Sequence, residues 1–182
     1  MNKRKCICIV GKSGTGKSTL VNKLKFKYDL TSVESYTTRP QRYEDEKGHI
    51  FITQKEYYEL PDKVATNTFG KYDYCATRDQ IDNSDLYVVD VNGVLALCDN
   101  YQGNGNKRDV YVVYLKTDFF IRLKRCIQDN GLFKGIKRML RDIGQFKGIH
   151  KIADYELMNN DRIDLIHCSN FIYDYLVNRI SW

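Results

Sequence analysis

Proline is scarce in this chain, and long apolar runs are missing. Only two prolines, Pro40 and Pro61, occur among the 182 residues, so no proline-rich linker divides the chain into separate units. The apolar run after the basic start MNKRK is Cys6–Val10, which is much shorter than a signal-peptide core or a membrane-spanning helix. These absences favour a single domain that can bury a substantial core. They also predict a cytoplasmic protein with no membrane partner.

The cysteines lack the spacing of a zinc or redox motif. No two of them are separated by only two residues, the C-x-x-C arrangement on which such motifs depend. Cys6 and Cys8 alternate within an apolar segment, so a strand there would project both side chains to the same face. We therefore interpret the six cysteines as free, buried thiols of a reducing compartment. They are Cys6, Cys8, Cys75, Cys98, Cys126 and Cys168.

The chain also has no dense run of basic residues, although its formal net charge is +6. A basic balance is compatible with nucleic acid, an anionic membrane or a phosphate-rich small molecule as partner. Because the basic residues are spread over several predicted helices, the pattern argues against a nucleic-acid stripe. The 14 tyrosines are interpreted as packing and interface residues rather than as a platform for stacking bases. A phosphate-rich substrate explains the charge equally well.

Apolar runs alternate with helical patterns along most of the chain. Cys6–Val10 and the runs at 86–91 and 110–115 are typical of central parallel strands that are covered on both faces. The alternation predicts an α/β fold with a three-layer core and a mostly parallel sheet. Helices are predicted at 18–28, 118–126 and 161–180, with a loop at 100–109.

Two segments differ in amino-acid composition from this core. The polar, turn-rich stretch 32–82 contains short strand-like pieces, and capping-box patterns begin at Thr53 and Thr77. We interpret it as a small β-containing insert whose strands lie at 50–52, 66–69 and 72–76. The stretch 127–148 is basic and dotted with glycines, which predicts a segment that folds over a ligand or stays mobile.

Residues 11–18, GKSGTGKS, follow the first strand and precede the first helix. This context and the G-x-x-x-x-G-K-S pattern predict a phosphate-binding P-loop, since its glycines let backbone N–H groups approach phosphate oxygens. Lys17 is expected to reach the β- and γ-phosphates of a nucleoside triphosphate, and the Ser18 hydroxyl to ligate Mg²⁺. The predicted ATP-binding residues are Gly11, Ser13, Gly14, Thr15, Gly16, Lys17, Ser18 and Thr19.

Asp90 interrupts the apolar run 86–91. An unpaired buried carboxylate is costly, so we expect Asp90 to have a partner. In P-loop proteins the usual partner is the Mg²⁺ shell, which makes Asp90 a candidate metal-binding and catalytic residue. The alternative is a structural aspartate that accepts hydrogen bonds from backbone amides.

The stretch 35–42, SYTTRPQR, places two arginines three residues apart beside hydroxyl groups and a proline. Guanidinium groups bind phosphate with paired hydrogen bonds, so Arg39 and Arg42 form a candidate anion clamp. A solvated turn is the alternative for such a piece alone. Next to a P-loop, a second phosphate site indicates a phosphate donor and a phosphorylated acceptor.

The order GKSGTGKSTL, SYTTRPQR, YDYCAT, VVDVNGV and DYELMNND resembles guanylate kinase over nearly the whole chain. The resemblance implies a core (1–31, 83–125 and 149–182), an insert for the nucleoside monophosphate (32–82) and a mobile lid (126–148). It implies transfer of the ATP γ-phosphoryl group to a nucleoside monophosphate, with Mg²⁺. Nucleotides would be the partners of a monomer or a homodimer.

Individual positions carry further implications of that resemblance. Arg39, Arg42 and Tyr74 match groups that bind the acceptor phosphate, and Ser35 matches a residue near the guanine base. Thr77 is also assigned to the substrate. The remaining matches concern ATP: Arg138 corresponds to a lid arginine that acts on the transferring group, and Asn159 lies near the adenine position. Lys17, Arg138 and Asp90 are therefore the predicted catalytic residues, with Arg125 and Arg141 as alternative lid arginines.

The chain departs from the family pattern where guanine is read. The two acids of that pattern are replaced by the segment that begins at Val64 and by Val88, and His49 stands near the position of a phosphate-binding tyrosine. Loss of such groups removes base discrimination. GMP or dGMP is the expected acceptor, while another NMP or dNMP, or a ribose bisphosphate, stays open. A non-catalytic binding module and an RNA- or DNA-end kinase are the rival hypotheses.

Overall fold

The computed structural model describes residues 6–102 and 110–178. Its strands are β1 (Cys6–Val10), β2 (Ser35–Thr37), β3 (His49–Phe51), β4 (Asn67–Phe69), β5 (Tyr72–Cys75), β6 (Leu86–Val88), β7 (Val110–Lys116) and β8 (Tyr155–Met158). Its helices are α1 (Lys17–Tyr28), α2 (Gln54–Glu59), α3 (Arg78–Asp82), α4 (Val91–Gln102), α5 (Phe119–Asn130), α6 (Leu132–Arg141) and α7 (Arg162–Asn178), with a 3₁₀ turn at Ile149–Lys151.

The core is a parallel sheet of four strands in the order β6-β1-β7-β8. Side chains of β1 alternate between its faces: Cys6 and Cys8 join one buried cluster, and Ile7 and Ile9 join the other. Helix α4 covers the first face, and α1 and α7 cover the second. This arrangement confirms the predicted α/β fold with a three-layer core, and all six cysteines are free thiols.

The insert contains a second, mixed sheet in the order β3-β2-β5-β4. The three strands expected there are present within one residue of their predicted bounds, and β2 is an additional strand that was not predicted. Both predicted capping boxes form: Thr53 with Glu56 begins α2, and Thr77 with Gln80 begins α3. These caps fix where the chain turns from extended to helical in this polar segment.

The strand predicted at 86–91 was too long. Strand β6 ends at Val88, because Asp90 caps the N-terminus of α4 by accepting the Gly93 N–H at 2.7 Å. The helix predicted at 118–126 was too short, since α5 runs to Asn130. Strand β8 was not predicted at all.

The basic stretch 127–148 contains the end of α5 and the whole of α6, and its folding over a ligand stays a prediction. Helices α5 and α6 pack so closely that a Cβ atom at Gly135 would lie 2.7 Å from the Cys126 carbonyl oxygen. Met139 of α6 is buried. The loop predicted at 100–109 begins too early, because α4 continues to Gln102. The rest of that loop, 103–109, and the end of the final predicted helix, 179–180, lie outside the described residues. Among the helices of the described residues, none has both the length and the apolar character needed to cross a membrane.

Candidate functional site

The predicted P-loop connects β1 to α1. Gly14 and Gly16 have positive φ angles, 78° and 85°, which residues with side chains rarely adopt. A Cβ atom at Gly14 would lie 2.7 Å from the Arg122 carbonyl oxygen, and one at Gly16 would lie 2.6 Å from Asn159 Nδ2. The loop is therefore enclosed by α5 and by the segment after β8, and the positive end of α1 follows it directly.

Lys17 stands at the first position of α1 and folds back over the loop. Its ammonium donates to the carbonyl oxygens of Gly11 at 2.6 Å and Lys12 at 3.2 Å. Burial lowers the pKa of Lys17 to about 8, an effect that the nearby Asp142 opposes and Arg138 reinforces. Ser18 and Thr19 are exposed. The arrangement presents a cation and two hydroxyl groups beside loop backbone that is suited to phosphate.

A cavity of about 350 Å³ lies beside the P-loop, and we call it the Asn159 cavity. It is lined by Gly14, Gly16, Thr19, Arg125, Asp129, Asn159, Asp161, Arg162 and Leu165. Asn159 is buried, and its Nδ2 donates to the Thr15 carbonyl oxygen at 2.7 Å. Its Oδ1 is also buried and has no hydrogen-bond partner among the described residues.

Arg125, an alternative lid arginine in the sequence, is engaged in this region instead. Its guanidinium donates to the carbonyl oxygens of Asn159 at 2.9 Å and Asn160 at 2.8 Å. These bonds fasten the segment after β8 to helix α5. Arg125 thus holds a wall of the Asn159 cavity.

The two arginines of the predicted anion clamp have different environments. Arg39 is buried and forms paired hydrogen bonds with Glu46, at 3.1 and 2.9 Å, while its Nε has no partner among the described residues. Arg42 donates its backbone N–H to Glu46 at 2.8 Å, and its side chain is 59% exposed. Arg39 is therefore an anchored cation, and Arg42 is the more accessible one.

Glu46 was not predicted as a site residue. Its hydrogen bonds with Arg39 lower its pKa to about 2, although burial acts in the opposite direction. The carboxylate consequently stays ionised and neutralises part of the clamp's charge at neutral pH. Only a short, highly charged stretch of sequence marks its position, and nothing in that stretch distinguishes Glu46 from its acidic neighbours.

Ser35, His49 and Tyr74 come together on the second sheet. Ser35 Oγ lies 2.9 Å from His49 Nδ1, and the rings of His49 and Tyr74 meet edge to face with centroids 5.9 Å apart. Burial, followed by the charge of Arg39, lowers the pKa of His49, which favours the neutral imidazole. Thr77 differs from these three, because its hydroxyl accepts the Gln80 N–H in the cap of α3.

His49 also lines a cavity of about 510 Å³, which we call the His49 cavity. It is lined by Ser18, Val21, Asn22, Lys25, Ser32, Val33, Glu34, Tyr43, Asp45, Lys47, Gly48, His49 and Val88. Val64, at the other departure from the family pattern, is buried in the core. Val88 therefore lines the His49 cavity, whereas Val64 does not.

A third cavity, of about 220 Å³, lies where the P-loop, the insert and α6 meet, and we call it the junction cavity. It is lined by Ser13, Arg42, Phe69, Tyr74, Asp90, Arg138, Arg141, Asp142 and Gln145. The Arg138 guanidinium donates to Asn130 Oδ1 at 3.0 Å, and the Arg141 guanidinium lies 5.7 Å from the Phe69 ring centre. Three arginines thus surround a small space beside the P-loop.

Asp90 lines this junction cavity and is exposed, contrary to the buried position expected from the sequence. One carboxylate oxygen accepts the Gly93 N–H at 2.7 Å, and the other accepts Asn67 Nδ2 at 2.5 Å. The strand was predicted to continue through Asp90, but a helix cap ends it. The backbone-bonded aspartate was the second interpretation of the sequence, and a place in the metal shell stays a prediction.

Arg122 and Asp142 complete the P-loop environment, and the sequence did not predict either of them. Asp142 accepts the Ser13 N–H at 2.7 Å and the Ser13 hydroxyl at 3.2 Å. Arg122 donates to Asp142 at 2.9 Å and to the Ser13 carbonyl oxygen at 2.9 Å. Both side chains are buried, so the P-loop carries an ion pair supplied by α5 and the end of α6.

Comparison with solved structures shows the same fold elsewhere. A guanylate kinase from Anaplasma phagocytophilum superposes with a TM-score of 0.60 at 15% sequence identity, over 97% of this chain and 88% of that one. An uncharacterized protein from Eubacterium ventriosum gives a TM-score of 0.50 at 14% identity, over 95% of this chain and 98% of that one. No family model and no curated protein matches the sequence. At these identities the likeness establishes the fold, a guanylate-kinase-like α/β core.

Proposed function

We propose that this protein is an ATP-dependent nucleoside monophosphate kinase, with GMP or dGMP as the first acceptor to test. The junction cavity is the observation that carries the proposal. There Ser13 of the P-loop faces Arg42 and Tyr74 of the insert and Arg138 of α6. A phosphate donor bound on the loop and a phosphate acceptor bound on the insert would meet in this space.

The chemistry of phosphoryl transfer suits such a cavity. Charge spreads over the oxygens of the transferring group, and catalysis depends on positioning and on nearby cations. In the proposal, Lys17 and the loop N–H groups bind the donor phosphates, while Arg42 and Tyr74 bind the acceptor phosphate. Arg138 stabilises the transferring group, and Arg141, on the same cavity wall, is the alternative for that role.

The residues present fit ATP and magnesium. Asn159 lines the cavity beside the P-loop in which the adenine of ATP would lie, and the exposed side chains of Ser18 and Asp90 carry oxygens of the type that Mg²⁺ prefers. No group of three or more metal-binding side chains occurs in residues 6–102 and 110–178, and kinases need none, since phosphates and water supply most Mg²⁺ ligands. When bound, magnesium neutralises charge on the phosphate oxygens.

The acceptor base is the less constrained part of the proposal. Val88 lines the His49 cavity in place of an acid, but Glu34 and Asp45 line the same cavity. These carboxylates could receive hydrogen bonds from a base that offers N–H groups. GMP and dGMP therefore stay first among the acceptors, ahead of other monophosphates and of ribose bisphosphates.

The test is release of ADP from Mg·ATP by the purified protein, offered nucleoside and deoxynucleoside monophosphates, ribose phosphates and 5′-hydroxyl oligonucleotides. We expect turnover with one monophosphate. Lys17→Ala should lower it at least about a hundredfold, as loss of a transition-state cation does, whereas Lys23→Ala on the same helix should not. Nucleotide binding without turnover on any acceptor would contradict the kinase and indicate a binding module.

A further inference from the structure

The carboxylate of Asp142 occupies a hydrogen-bond donor of the phosphate-binding loop. Asp142 follows the last residue of α6, and it accepts both the backbone N–H and the hydroxyl of Ser13. The Ser13 N–H belongs to the loop whose N–H groups are suited to phosphate oxygens. A carboxylate oxygen resembles a phosphate oxygen in charge and in hydrogen-bonding geometry.

The buried Arg122 would keep a hydrogen-bond partner if the Asp142 carboxylate moved away from Ser13. Arg122 pairs with Asp142, and a buried cation that loses its partner is strongly destabilising. However, Arg122 also donates to the Ser13 carbonyl oxygen at 2.9 Å, so it keeps one partner when Asp142 moves. The charges of Asp142 and Arg138 both act on Lys17 of the same loop.

Asp142 is also coupled to the cations of the junction cavity through its own helix. Arg138 precedes it by four residues, which is about one helical turn, and both residues line the cavity. Movement of the Asp142 end of α6 would therefore change the position of Arg138. An anion that displaces Asp142 from Ser13 would therefore also shift Arg138 in the junction cavity.

We propose that Asp142 is a specificity-determining residue that holds the place of a terminal phosphate oxygen at Ser13. A nucleoside triphosphate displaces it and releases the end of α6, whereas a diphosphate, which lacks the third phosphate, leaves it bonded to Ser13. The inference rests on the proposed function for the identity of the ligand on the P-loop. It adds a residue that distinguishes ATP from ADP.

The test compares dissociation constants for ADP and for a non-transferable ATP analogue by calorimetry. Asp142→Asn keeps the shape of the side chain and removes its charge. Loss of a charge-assisted hydrogen bond that competes with the ligand should tighten analogue binding about tenfold, with little change for ADP. Asp174→Asn, at an exposed position on α7, should change neither constant.

Several results would overturn the inference. One is an unchanged ratio of the two dissociation constants in Asp142→Asn, and another is equal weakening of both ligands, which indicates a purely structural ion pair. Asp142→Ser is the second variant, and loss of the folded state in both variants, judged by their melting transitions, also assigns a structural role. Failure of the wild-type protein to bind either nucleotide contradicts the proposed function itself.

Discussion

The donor and acceptor halves of the candidate site are built in different ways. Around the P-loop, side chains from distant segments bond to the loop backbone: Asn159 donates to the Thr15 carbonyl oxygen, and the Arg122–Asp142 ion pair bonds to Ser13. In the insert, Arg39 donates to Glu46, which is close to it in sequence, and to the adjacent Pro40 carbonyl oxygen. The donor half therefore depends on how α5, α6 and the segment after β8 pack around the loop, whereas the acceptor clamp depends on one ion pair within a single loop.

Glu46→Gln should have the largest effect, a loss of stability in the acceptor half of the site. Removing one partner of a buried ion pair costs about 3 kcal/mol, and Arg39 would lose its bidentate partner. We expect this loss in the free energy of unfolding at pH 7, measured with urea. Glu44→Gln, at an exposed position in the same loop, should have little effect. A Glu46→Gln protein as stable as the wild type would contradict the assigned ion pair.

The same variant has a pH signature. The pKa of Glu46 is lowered from 4.5 to about 2, so its contribution is fully present above pH 4.5 and is lost as pH falls toward 2. The difference in stability between wild type and Glu46→Gln should therefore be largest at neutral pH and shrink below pH 4.5.

Arg42→Ala should weaken the acceptor half of the site and leave the donor half unchanged. Arg42 is largely exposed and lines the junction cavity, so its loss removes a charged contact to the acceptor phosphate without disturbing the core. Such a contact is worth about 10- to 100-fold. Steady-state kinetics should show that increase in KM for the acceptor and no change in KM for ATP. Lys71→Ala, in the same insert, serves as the control. An equal increase in the KM values for the acceptor and for ATP would contradict the separation of the site into a donor half and an acceptor half.

A smaller effect is expected in the donor half alone. Because burial lowers the pKa of Lys17 to about 8, the empty protein loses this charge as pH rises above 8, and ATP must bind together with a proton. Apparent ATP affinity should then fall by up to about tenfold per pH unit. Calorimetry in buffers of different ionisation enthalpy measures the proton uptake. Lys17→Met should abolish it, and uptake that persists in that variant would assign it to another group.

The predictable parts of the fold were local. The strand, glycine loop and helix around residues 11–18 follow one pattern, and the capping boxes at Thr53 and Thr77 each depend on residues three apart. Asp90 shows the limit of such reasoning, because the same apolar run suits a strand or the start of a helix. Asp90 accepts a hydrogen bond from the Gly93 N–H, and this bond caps the start of helix α4.

The unpredicted site residues depend on contacts between distant segments. Asp142 meets Ser13 across 129 positions of sequence, and Asn67 meets Asp90 only after the insert folds against the core. Glu46 lies close to its arginines in sequence, yet it stands among other acids. Neither periodicity nor motif marks such pairs, since their selection depends on tertiary geometry and burial.

The central claim is that the two halves open onto one junction cavity. A dinucleoside polyphosphate that joins adenosine to the nucleoside of the acceptor, guanosine first, tests it most directly by inhibition kinetics. We expect competition with both ATP and the monophosphate, tighter binding than either substrate alone, and weakening by Arg42→Ala. Competition with ATP alone, unaffected by Arg42→Ala, would contradict the claim.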